Sequence, residues 1–437
     1  MKKVLIITYY WPPAGGPGVQ RVLKFAKYLP YYGWQPIILT VKNGNYPSID
    51  LSLTKEIPDN VIVHRIPIWE PHYIYSKILR RSPSDPIPVA VLAEKENLTL
   101  KKKLMHWIRL NIFIPDARIG WYWPATRYAK KLLKREEIDL VLVSSPPQSL
   151  QLIGINLKKT YNIPLVSDFR DPWTEVHYLQ NQKRLKIAHS IDLNLEKKVL
   201  REASVITTVS PSLARKLNSK VPEAVCRVIY NGYDLEDFSN EAVIVEATKF
   251  TLAYIGNFKA NQNVPLLWES LKELISESPD FAANFILKIT GKLNRDIEIA
   301  LRNHGLAANF INEDYVPHAQ AIRRMYLSSV LLFVIPQSSH NEGILTGKLF
   351  DYLKVKRPIL SIGPPAGDAA AILTEVQAGP MFDYNNKEGL KAYLRKLYLL
   401  WKENKLDTVS PNIKDIMKFD RKILTRELTK IMDSLVK

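Results

Sequence analysis

The chain has 437 residues, 46% of them apolar and 24% charged, which describes a folded protein with length for two cores rather than one. It carries 61 Lys and Arg against 43 Asp and Glu, so its partners are expected to be anionic: nucleic acid, an acidic membrane face or phosphorylated small molecules. One cysteine, Cys226, excludes an internal disulfide and a cysteine-cluster metal site, and fits a small buried thiol in a reducing, cytoplasmic compartment.

The N-terminus pairs two lysines with an apolar run too short for a signal peptide, and no small-residue cleavage site follows. No apolar stretch approaches the roughly 18 residues that span a bilayer. The expectation is a chain that is soluble or rests on a membrane surface.

The first predicted strand is "KVLIITYY". After it the chain breaks at Trp11-Pro12-Pro13, passes Gly15, Gly16 and Gly18, and resumes helical spacing from Val19 to Leu29. Strand, glycine loop and helix is an arrangement that holds phosphate on free helix N–H groups, although glycines in that place also serve simply as turns. Further strands are predicted at "QPIILTV", "VIVHRIPI", "DLVLVSS", "IPLVSDF", "SVITTVS" and "CRVIYN". Runs of this kind, without clean alternation, suit a parallel sheet covered on both faces. A Rossmann-like domain over 1–240 follows.

Residues 73–113 interrupt the alternation. They gather Lys77, Arg80, Arg81, Lys101, Lys102, Lys103 and Arg109 near Tyr73, Tyr75, Trp107, Ile108 and Leu110. This is either a solvated basic insertion or a patch for an anionic membrane surface. A polar stretch near 239–248 marks the hinge. The alternation then restarts with "FTLAYIGNF", "NFILKITG", "NFINEDYV", "SVLLFVIPQ" and "RPILSIGPP", defining a second domain over 248–410. The segment 415–437 has helical periodicity with no strand beside it and is placed to pack back on the first domain. The fold class is therefore α/β, two doubly wound parallel-sheet domains facing across a cleft, with ligands at the carboxyl ends of the strands.

Two decoys are set aside. Gly16-x-Gly18 is followed by Arg21, and the second strand ends at Lys42 instead of a ribose-binding carboxylate, which argues against a dinucleotide. Gly343, Gly347 and Lys348 resemble a P-loop with the spacing one short, and Leu349 stands where a magnesium-holding hydroxyl belongs. The chain has no D-x-D pair, so the phosphate charge is expected to be met by lysine, arginine and helix N-termini, with no metal and no cofactor.

Taken in order, "YYWPPAGGPGVQR", "SSPPQS", "DFRDPW", "TTVSPSLARKL", "VIYNGYDLEDF", "YIGNF", "VPHAQAIRRMYLSSVLLFVIP" and "NEGILTGKLFDYLKVKRPIL" resemble the retaining GT-B glycosyltransferases of family 4 (group 1), which build lipopolysaccharide, capsule and exopolysaccharide. The resemblance spans nearly the whole chain. It implies that the second domain binds a nucleotide-diphosphate sugar as co-substrate and the first binds the acceptor. The family carries two glutamates eight positions apart. Here Asp351 takes the second place, as the ribose ligand, and Gly343 the first, with Glu342 one step away.

The same resemblance puts an arginine and a lysine on the donor diphosphate just after the first strand of the second domain; here only Lys259 stands there, and Lys348, at the start of a helix beside Gly347, is placed to share its role, with Glu342 and Asp171 in catalytic roles. Gly15, Gly16, Gly18, Gly256, Gly291, Asn341, Gly343, Gly347 and Asp351 are expected to line the donor. Arg21, Asp168, Arg170 and Trp173 are expected at the acceptor, although a buried carboxylate and arginine also pair with each other for structural reasons. The implied activity is sugar transfer to a hydroxyl of a glycan or lipid-linked acceptor with retention of configuration. Rival readings are an epimerase or sugar-phosphate synthase on the same fold, or an inactive sugar-nucleotide binder. Nucleic acid is not expected, since no recognition motif accompanies the charge.

Overall fold

The computed structural model describes residues 1–68, 100–176, 182, 184–238 and 248–436. The chain forms two compact units, Met1–Tyr230 with Arg421–Lys437, and Asn231–Asp420. The first unit holds seven strands: β1 (Lys2–Thr8), β2 (Trp34–Val41), β3 (Ile62–Ile66), β4 (Leu140–Ser145), β5 (Leu165–Phe169), β6 (Val205–Thr208) and β7 (Cys226–Val228). They pair in parallel in the order β3-β2-β1-β4-β5-β6-β7.

Period-two geometry explains why the strand sequences lack polar alternation. Val4 and Ile6 of β1 enter one core with Ile38, Leu140, Leu142 and Val166, while Leu5 and Ile7 enter another with Leu39, Val141 and Val143. Both faces are covered, so both sets must be apolar. The first core is closed by helix Pro17–Tyr28 and by Leu424, Leu428 and Met432 of the last helix, Arg421–Asp433. That helix is tied down at both ends: Asp433 accepts from Lys2 Nζ at 2.9 Å and Trp34 Nε1 at 3.1 Å, and the Lys422 carbonyl accepts from Tyr32 Oη at 3.0 Å.

The second unit has six parallel strands, β8 (Phe250–Ile255), β9 (Phe285–Thr290), β10 (Phe310–Glu313), β11 (Val330–Val334), β12 (Ile359–Ile362) and β13 (Met381–Phe382), in the order β10-β9-β8-β11-β12-β13. In each sheet the order reverses direction beside the first strand, at β1/β4 and at β8/β11. Loops diverge there and leave a crevice at the carboxyl ends of the strands.

The boundary falls at Tyr230, ahead of the hinge expected at 239–248. Residues 231–238 already bond within the second unit: Asn231 Nδ2 donates to the Leu345 carbonyl at 3.1 Å and Tyr233 N to that of Phe419 at 3.0 Å. Residues 239–247 and the greater part of the basic insertion, 69–99, lie outside the described residues. No helix among the described residues is long and apolar enough to cross a membrane. Cys226 is partly buried, and burial pushes its thiol pKa up to about 11, so it stays protonated near neutrality.

Candidate active site

In the second unit the loops at the switch point converge on one lysine. Helix Gly347–Val355 opens with Gly347, so Lys348 stands in its first turn, with Asp351 one turn on along the same face. The helix is fixed to the end of β8, where the Ile255 N–H donates to Tyr352 Oη at 3.1 Å. The Lys348 ammonium lies 3.5 Å from the centroid of the Tyr254 ring, a cation–π contact. It also packs on Gly256, where an added Cβ would stand 3.2 Å from Nζ.

Part of the Lys348 surface still reaches solvent, yet protein atoms crowd the ammonium. Burial, with a smaller push from the neighbouring Lys259 charge, lowers its pKa well below the usual lysine range. No carboxylate offsets this among the described residues.

Around Lys348 the backbone is fixed by buried amides and hydroxyls. Gln262 donates to the Val334 carbonyl at 2.7 Å and accepts from the Lys259 N–H at 3.1 Å and from Tyr254 Oη at 3.2 Å, which holds the turn carrying the exposed Lys259. Gly256 and Gly291 both have positive φ, +118° and +124°, and a Cβ on Gly291 would lie 2.7 Å from the Gly256 carbonyl oxygen. Two loops thus touch backbone to backbone, which only glycine permits. Asn341 is buried and its amide donates to the Pro336 carbonyl and Tyr384 Oη, bracing the turn Asn341–Gly343 on which Glu342 is exposed. Among the described residues no group of three or more His, Cys, Asp or Glu is placed to hold a metal ion.

In the first unit the expected acceptor residues form a network. Arg21, 2% exposed, donates to Asp168 from Nε at 3.2 Å and Nη2 at 2.8 Å, and from Nη1 to the carbonyls of Ile229 and Tyr230. Asp168 also accepts from Ser144 and Thr207 hydroxyls at 2.8 Å each. Burial alone would raise the Asp168 pKa; the Arg21 charge and hydrogen bonds, with Ser144, outweigh it and hold the carboxyl below its usual range. Arg170 donates to the carbonyls of Ser145 and Pro146, and its Nη1 lies where a Cβ on Gly18 would be, 2.2 Å away. Trp173 is buried and donates to Asp192 at 2.7 Å. Asp171 is exposed beside this network.

Residues 77–237 match Glycosyltransferase Family 4, a span that contains the Asp168–Trp173 loop. A search of curated proteins finds no match. Solved structures share the architecture over its whole length. Sucrose-phosphate synthase from Thermosynechococcus elongatus aligns at TM-score 0.65 and 12% identity, covering 100% of this chain and 99% of that one. The Anabaena protein HepE in complex with UDP-glucose aligns at 0.63 and 14%, covering 100% of both. An E. coli trehalose-6-phosphate structure bound with UDP-2-fluoro glucose aligns at 0.63 and 11%, again covering 100% of both. The chain has the GT-B fold.

Within this GT-B chain the glycine loop ends β1 just as the Gly256 loop ends β8. Gly16 caps helix Pro17–Tyr28 with φ 99° and ψ 171°, a backbone region essentially closed to other residues. Gly16→Val is expected to cost about 1–3 kcal/mol of stability and to crowd the start of the helix. Urea unfolding measures the first effect, and an unchanged midpoint would contradict it.

The candidate site also depends on residues to which the sequence reading gives no role. Tyr254, Gln262 and Tyr352 position Lys348 and Lys259, and Ser144, Thr207 and Asp192 position the Asp168–Trp173 loop. Ser144, Thr207, Tyr254 and Tyr352 stand within the quoted motifs, which is the signal that could have found them, whereas Gln262 and Asp192 lie outside every motif.

Proposed function

We propose that the second unit binds a nucleotide-diphosphate sugar through Lys348, Lys259 and Asp351, and that the enzyme transfers the sugar to a hydroxyl of a glycan or lipid-linked acceptor held by the first unit, with retention of configuration, in cell-surface polysaccharide synthesis. The observation that carries this reading is Lys348: a crowded cation with no carboxylate partner among the described residues, beside a second lysine and packed on a glycine. An anion answers both the desolvation and the like-charge repulsion.

Transfer breaks the bond between the anomeric carbon and the β-phosphate oxygen, and negative charge grows on that oxygen. Lys348 and Lys259 stabilise it, which is the role a metal ion plays elsewhere. Asp351 takes the ribose hydroxyls, and Asn341 and Gly343 keep the loop bearing Glu342 beside the sugar. On the acceptor side Asp171 and Arg170 meet the substrate, while Arg21, Asp168 and Trp173 hold the loop in place. In a retaining reaction the acceptor hydroxyl attacks from the leaving-group face and a phosphate oxygen takes its proton.

The solved relatives named above include a complex with UDP-glucose, which makes uridine nucleotides the first donors to test. The test is acceptor-dependent nucleotide release over a panel of nucleotide sugars, with mass spectrometry of the products. Release with lipid-linked glycans supports the reading; a donor converted without any acceptor would replace transfer with epimerisation.

One observation favours a second acceptor class. The Arg170 guanidinium against Gly18 sets a cation at the positive end of the dipole of helix Pro17–Tyr28, an arrangement suited to a sugar phosphate. Sugar phosphates therefore belong in the same panel. The expected location is the cytoplasmic face of a membrane, reached through the basic segment 73–113, whose described part is helix Leu100–Asn111 and the residues after it.

A further inference from the structure

Helix Leu100–Asn111 is poorly covered by the rest of its unit. Leu104, Trp107 and the following Ile112 are 59%, 42% and 61% exposed. Its C-terminal end abuts the start of helix Lys186–Glu202: Arg184 Nε donates to the Leu110 carbonyl at 3.0 Å, and the Leu185 N–H to Asn111 Oδ1 at 2.7 Å. There Ile187 and Ile191, one helical turn apart, are 68% and 45% exposed. Scattered single apolar residues are ordinary on a surface, but here five are exposed on two segments whose ends are hydrogen-bonded to each other.

The sequence around this junction is mainly basic. From Leu100 to Asp116 and from Arg184 to Asp192 it contains Lys101, Lys102, Lys103, Arg109, Arg184 and Lys186 against Asp116 and Asp192. Arg184 is paired with Asp192 at 2.6 Å. Asp192 in turn holds Trp173, so the patch is linked to the acceptor-side loop by a continuous chain from the Leu110 carbonyl through Arg184 and Asp192 to the indole N–H.

We propose that this face rests on an acidic lipid bilayer, with Leu104, Trp107, Ile112, Ile187 and Ile191 in the interface and Lys103 and Lys186 on the lipid phosphates. Aromatic and aliphatic side chains flanked by an excess of basic residues is the composition that interfacial binding requires. The contribution of helix Lys186–Glu202 lies outside the basic segment that motivates the membrane reading above. The inference extends that reading, and because binding is measured without donor or acceptor, its failure leaves the transfer reaction untouched.

The test is sedimentation of the full chain with vesicles of phosphatidylcholine alone and of phosphatidylcholine with phosphatidylglycerol. Binding is expected only with the acidic vesicles and is expected to fall as salt rises. Ile187→Asp with Ile191→Asp, and separately Lys103→Glu with Lys186→Glu, are expected to weaken it at least tenfold. These are surface positions, so thermal unfolding and nucleotide binding are expected to be unchanged. Quenching of tryptophan fluorescence by brominated lipid is expected to drop in Trp107→Phe. Equal binding to both vesicle types, no binding, or a lipid-free dimer that the isoleucine changes dissolve would overturn the proposal; the last would make the patch a contact between copies of the chain.

Discussion

Lys348→Met is expected to lower turnover by about 100- to 1000-fold while making the protein more stable. The loss follows from removing the nearest cation from an oxygen on which charge develops. The gain follows from the same environment without ligand, where Lys348 is crowded, repelled by Lys259 and matched by no carboxylate. Methionine keeps the length of the side chain and its contact with the Tyr254 ring. Because part of the lysine remains in contact with water, the expected gain is modest, about 1 kcal/mol.

The pH dependence gives the effect a signature. A lysine whose folded pKa is depressed penalises the fold most below that pKa, and the penalty disappears as pH rises towards the unfolded value, about 10.4. The stability difference between Lys348→Met and the parent is therefore expected to shrink at alkaline pH. A variant that is folded and turns over normally would remove Lys348 from the reaction.

The second large effect concerns the buried pair in the first unit. Arg21→Met leaves Asp168 ionised in a core with the Ser144 and Thr207 hydroxyls and the more distant Arg170 charge, and Asp168→Leu leaves Arg21 without its carboxylate. Each is expected to cost about 3–5 kcal/mol, since breaking one half of a buried pair strands the other charge. The double variant is expected to lose less than the sum of the two. Asp168 has a depressed folded pKa, so its stabilising contribution is complete above the unfolded value of about 3.9 and is lost as pH falls through the lower folded one. Asp168→Asn is expected to flatten that acid limb. Denaturant midpoints across pH measure this, and strictly additive losses would show that the two side chains act independently.

All seven strands expected in the first domain and all five expected in the second are present, because strands buried on both faces must be written as apolar runs. The sixth strand of the second sheet, β13, was not expected: it is two residues beside Pro380, too short to leave a periodic trace. The site was legible as residue types and not as partnerships. The sequence marks Arg21 and Asp168 as a cation and a carboxylate, but their pairing depends on how helix Pro17–Tyr28 lies over β5, which no local pattern records. Trp173 stands in a motif that reads as acceptor-facing, yet its N–H is taken by Asp192 on a helix that the motif does not include. Lys348 was visible beside Gly347, whereas its distinguishing property, a charge resting on the Tyr254 ring, exists only once helix Gly347–Val355 is fixed to β8 by Tyr352.

Calorimetric titration of the full chain with nucleoside diphosphates, run in two buffers of different ionisation enthalpy at about pH 9, tests the central claim most directly. If the diphosphate sits on Lys348, it restores the depressed pKa, and binding takes up protons from the buffer. That uptake, and about tenfold or more of the affinity, is expected to vanish in Lys348→Met. Binding of equal strength and without proton uptake in both proteins, or no binding of any nucleoside diphosphate, would contradict the assignment of this site to the donor.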